Sequence, residues 1–75
     1  MTLETLIGRV LSINPSTITD ATGPHSVESW DSFNGLMLVA ELEKHYAVKF
    51  TLDEIIAVKN VGYIKRALRS HGISI

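Results

Sequence analysis

From Asp31 to Tyr46 the chain carries Phe33, Leu36, Met37, Leu38, Val39, Ala40 and Leu42, and this stretch restricts the possible folds more than any other. Read as a helix, it places apolar residues over more of its circumference than one stripe needs. A chain of 75 residues cannot bury such a helix on all sides, so part of its surface is left for a partner or a ligand. Leu38, Leu42 and Tyr46, with Val39, recur at helical spacing and form the expected core face. Phe33, Met37 and Ala40 form the remaining face, with plain core as the alternative for each. Asp31 is the natural N-cap: its carboxylate can accept from free backbone N–H groups where the helix dipole is positive. Ser32 then falls in the first turn, where the unpaired N–H groups and partial positive charge favour a phosphate attached nearby.

The flanking sequence is patterned for further helices. Thr2 can cap a first helix in which Leu3, Leu6, Ile7, Val10 and Leu11 share a face, and Asn14-Pro15 is expected to end it. From Ser16 to Ser29 the residues are mostly Ser, Thr, Gly and Pro, which reads as a long loop. Ile18, Val27 and Trp30 are expected to pin it, with a partner contact as the alternative for Trp30. Ala47-Val48-Lys49-Phe50 alternates as an extended connector. Thr51-Leu52-Asp53-Glu54 matches a capping box for a short helix whose apolar side is Ile55, Ile56 and Val58. Asn60 can cap a last helix with Val61, Ile64, Ala67 and Leu68 as its buried stripe, and Gly72 is a C-terminal stop. The expected fold is all-α: one small domain over residues 1–75, a four-helix bundle with three longer helices and one short third helix.

Composition narrows the function. With 45% hydrophobic residues and no cysteine, the chain can bury only about 60% of its unfolded surface and has no thiolate staple. A net charge of −1 argues against nucleic acid as a partner. Every acidic residue lies at or before Glu54, while Lys59, Lys65, Arg66 and Arg69 follow it, which reads as a solvated helix face. Met1 to Ile13 carries Glu4 and Arg9 and lacks the form of a signal peptide, and no run is a membrane span. A cytoplasmic monomer is expected.

Hydrolytic chemistry at Ser32 finds little support, because no Gly-x-Ser-x-Gly elbow or oxyanion arrangement accompanies it. His25, His45 and His71 read as surface or partly buried residues. Glu41 and His45, one helical turn apart, could pair; a metal site would need a third ligand.

Asp31-Ser32-Phe33, followed by a Leu-rich helix and the Leu42-Glu43 pair, resembles the modification site of acyl carrier proteins, whose motif is Asp-Ser-Leu. The likeness extends through the helix order and nearly the whole chain. It implies a carrier that is not itself an enzyme, with 4′-phosphopantetheine attached to Ser32 beside Asp31 and the cargo held as a thioester. The implied partners are a phosphopantetheinyl transferase, which would use coenzyme A and magnesium, and the enzymes that load and process the cargo. These would dock on Phe33, Met37, Ala40 and Glu41. An aminoacyl or peptidyl carrier and an unmodified helical interaction module are the alternatives.

The chain departs from fatty-acid carriers in placing Asn34, Met37, Lys44 and His45 where acidic residues are common, which points to a dedicated pathway. Trp30 directly before Asp31-Ser32 is similar to carriers of specialised building blocks. Leu6, Val10, Leu38, Leu42, Tyr46, Phe50, Ile56, Ile64 and Leu68 are expected to fill the interior, leaving no ready channel and favouring a small, polar or briefly sheltered cargo. The competing expectation is that Phe33, Leu36 and Ile55 swing apart to admit a chain.

Overall fold

The computed structural model describes residues 2–75; Met1, where the N-terminal segment begins, lies outside them. Helices α1 (Leu3–Leu11), α2 (Ser32–Tyr46), α3 (Leu52–Ala57) and α4 (Val61–Ser70) follow in order, with a 3-10 turn at Pro15–Thr17. No strand occurs among the described residues, so the architecture is a small all-α bundle of three longer helices and one short one.

Each helix begins where a side-chain oxygen can take a free backbone N–H. Thr2 accepts from Thr5 N–H at 3.1 Å, Asp31 from Asn34 N–H at 2.9 Å and Asn60 from Tyr63 N–H at 3.1 Å. Thr51 and Glu54 serve each other's backbone at 3.2 and 2.8 Å, a complete capping box. Such caps contribute about 0.5–2 kcal/mol each.

The end of α1 differs from expectation. It stops at Leu11, before Asn14-Pro15, because Ser12 takes a left-handed conformation (φ 57°) and lets Ile13 N–H reach the Gly8 carbonyl at 3.0 Å. Asn14 caps the 3-10 turn instead, accepting from Ser16 N–H at 2.9 Å, with Pro15 as its first residue. Ala47 (φ 54°) closes α2, and Gly72 (φ 86°) follows α4 as anticipated.

The core is built by Leu3, Leu6, Ile7 and Leu11 of α1, Leu38 and Leu42 of α2, and Val61, Ile64 and Leu68 of α4, with Ile18 and Trp30 from the long loop. Trp30 is therefore a core residue. Val10, Tyr46, Val48 and Phe50 pack around this cluster half-buried. Burial raises the Tyr46 phenol above its ordinary range, and the charge of Glu4 adds to it. Ile56, expected inside, is 70% exposed. Successive residues on a helix point about 100° apart, so α3 can turn only one of Ile55 and Ile56 inward, and Ile55 takes that place.

The loop is fastened at both ends. Ser29 Oγ donates to the Leu11 carbonyl at 2.6 Å, and the Thr22 and Asp20 carbonyls accept the first N–H groups of α4, from Val61 at 2.8 Å and Gly62 at 2.9 Å. Lys65 ties α4 to Asp20 at 2.7 Å and to Glu4 at 3.5 Å. Asp20 is held below its usual carboxyl range chiefly by that hydrogen bond, and the same bond raises Lys65. Lys59, Arg66 and Arg69 are exposed, as expected of a solvated face; within it Arg66 lies 4.4 Å over the Tyr63 ring, and Arg69 donates to the Ile75 carbonyl at 3.0 Å.

Candidate functional site

Ser32 is the first residue of α2 and is exposed, while Asp31 before it is extended (φ −97°, ψ −173°) and caps the helix. Asn34 strengthens the entry by donating its side-chain amide to the Ser29 carbonyl at 2.8 Å. Among the described residues no hydrogen bond engages the Ser32 hydroxyl. A free hydroxyl at the positive end of a 15-residue helix can carry an anionic ester at little electrostatic cost.

Beside Ser32 the helices leave a cavity of about 190 Å³. Its α2 wall consists of Ser32, Gly35, Leu36, Leu38, Val39 and Leu42. Phe50, Glu54, Ile55 and Val58 close it from the connector and α3, and Trp30, Ile64 and Ala67 complete it. Ser32 and Glu54 are its hydroxyl- and charge-bearing residues; the rest is apolar. The expectation of a filled interior is therefore corrected. With Ile56 turned outward, Ile55 is the apolar side chain that α3 brings to this cavity, and the space between it and Leu36 stays open. An apolar void of about 150 Å³ is enough to take a benzene molecule, so room for about six carbon atoms follows.

Phe33, at 70% exposed, and Met37, at 43%, lie on the solvent face of α2 with Ala40, while Glu41 is half-buried beside them. Phe33, Met37, Ala40 and Glu41 thus share one helical face. The exposed apolar surface is wider than the sequence reading allowed. Leu36 (63%) on α2 and Leu52 (69%) and Ile56 (70%) on α3 are exposed as well. The adjacency of Ile55 and Ile56 on so short a helix was the signal available for that extension.

His25 is exposed in the loop. His45 sets its ring edge-on to Tyr46 at 4.7 Å, and the expected pairing with Glu41 is not formed. His71 instead reaches Glu54, its Nε2 lying 3.0 Å from both carboxylate oxygens. No group of three or more His, Asp or Glu side chains suited to a metal ion occurs among the described residues. No described helix is long and apolar enough to cross a membrane. No protein-family model matches the chain, and no curated protein matches it at a significant level.

Proposed function

We propose that this chain is a cytoplasmic, monomeric carrier protein that holds an acyl or related intermediate as a thioester on a 4′-phosphopantetheine arm attached to Ser32. The observation that carries this reading is the position of Ser32, which faces solvent with an unengaged hydroxyl and also lines the apolar cavity. An arm attached there can extend to an enzyme in one state and turn its cargo into the cavity in the other. The size of the cavity favours a short apolar segment over a long chain.

In this reading Asp31 fixes the start of α2, so that the hydroxyl is presented at the helix end. Phe33, Met37 and Ala40, with Glu41 at their edge, offer a mixed apolar and acidic face to the phosphopantetheinyl transferase and to the loading and processing enzymes of a dedicated pathway. Weak, successive docking suits such a surface, since exposed apolar anchors associate without a deep pocket. The chain itself performs no catalysis.

Incubation with coenzyme A, magnesium and a phosphopantetheinyl transferase should raise the intact mass by one phosphopantetheine. Ser32→Ala should abolish the gain while leaving the thermal melt unchanged, because the replaced hydroxyl makes no bond. No gain by the unaltered chain refutes the carrier reading in favour of a bare interaction module, and a gain by Ser32→Ala refutes the site.

A further inference from the structure

We propose that Glu54 and His71 form a latch that holds α3 over the cavity, and that the latch loosens when the His71 imidazole is neutral. Of α1 to α4, α3 alone buries no side chain fully, yet Glu54 and Ile55 on it wall the cavity opposite Leu36 of α2. Its capping box is internal: Thr51 and Glu54 fix the shape of α3 but not its place. The bond from Glu54 to His71, 17 residues further on, is the polar side-chain tie from α3 to the residue that caps the end of α4 among the described residues.

His71 is itself anchored. It sits at the end of α4, where its N–H donates to the Ala67 and Leu68 carbonyls at 3.3 and 3.1 Å, and its ring stands edge-on to Phe50 at 5.5 Å. α4 is fixed in turn through Val61, Ile64 and Leu68. The latch thus joins the least buried helix to one of the best buried.

Its strength depends on charge. An imidazolium facing both carboxylate oxygens makes a charge-assisted bond, whereas a neutral ring keeps at most one ordinary hydrogen bond. Imidazole is the side chain that ordinarily changes charge between about pH 5 and 8. Glu54 stays ionised across that range, because the Thr51 backbone N–H first and His71 second hold its carboxyl below the usual value. The other charged groups on the surrounding elements are engaged elsewhere or exposed. Glu43 of α2 accepts from Phe50 N–H at 2.8 Å, Arg66 lies over Tyr63, and Arg69 is bound to the Ile75 carbonyl. Lys49 and Asp53 are exposed. The use of this gate by a cargo rests on the carrier reading; the latch does not.

Amide hydrogen exchange on the unmodified 75-residue chain tests it, with rates corrected for intrinsic exchange and referred to α1. Opening of the Ile55, Ile56 and Ala57 amides should rise about two- to fivefold between about pH 5.5 and about pH 8, the range expected of a partly exposed ion pair. His71→Gln should remain at the high-pH level throughout. Glu54→Gln, which can still complete the capping box, should behave as His71→Gln does. At about pH 5.5, benzene, followed through the methyl signals of Leu36 and Ile55, should enter His71→Gln faster than the parent. A flat profile in the parent, the same profile retained in His71→Gln, or equal benzene entry overturns the latch. None of these results bears on the mass test at Ser32, so the two readings fail separately.

Discussion

α1 and α3 are both capped by threonine and both carry leucine and isoleucine, yet they use them in opposite ways. In α1, Leu3, Leu6, Ile7 and Leu11 are all at most 3% exposed, whereas α3 leaves Leu52 and Ile56 at about 70% and buries nothing fully. The difference lies in length and spacing. Nine residues give α1 two and a half turns, enough for a continuous stripe, while six residues in α3 give less than two. A helix without a stripe is held by its ends and by single contacts, and such elements open at lower free energy than the core. α2 joins the two regimes: its Leu38 and Leu42 belong to the core, and its first turns, with Ser32 and Leu36, line the same cavity as Glu54 and Ile55 of α3.

The comparison can be broken most forcefully in the core. Leu42→Ala should destabilise the domain by about 2–5 kcal/mol, a large part of the total expected for a small protein, and Ile56→Ala should change it by less than about 0.5 kcal/mol. Urea unfolding of the two variants measures both. Equal losses would mean that α3 is as much a part of the core as α2.

A smaller effect is expected where the loop meets the junction of α3 and α4. Gly23 is buried against the Lys59 carbonyl, so a methyl group there has no room, and it would also meet the His25 ring at 3.1 Å. Gly23→Ala should cost about 1–3 kcal/mol, read by the same unfolding experiment. A neutral result would show that the loop yields, and that the start of α4 is less firmly seated than the Thr22 and Asp20 carbonyl bonds imply.

The smallest effect should come from Met37→Glu, which places a carboxylate on the exposed face of α2. Its thermal melt should lie within about 0.5 kcal/mol of the parent. A loss of several kcal/mol would put Met37 in the core, since a buried unpaired carboxylate is that costly, and would remove it from the proposed docking face.

The caps at Thr2, Asp31, Thr51 and Asn60 and the stripes of α1 and α4 were legible from residue order, because each depends on groups within about four positions of one another. The same locality made Ser32 recognisable as a first-turn hydroxyl. Residue order also indicated that α2 carries more apolar surface than one face can bury. Where α1 stops, however, was settled by the left-handed turn at Ser12, which competed successfully with Pro15 three residues later. Which of Ile55 and Ile56 turns inward, and hence whether a cavity exists, depended on how α3 is placed against α2. The ties from Glu54 to His71 and from Asp20 to Lys65 span 17 and 45 residues. Their sequence pattern is only that of ordinary surface charges, since any acid can pair with any base until packing brings two of them together. Local hydrogen bonding and periodicity therefore determined the helices, and the tertiary structure alone decided the space between them.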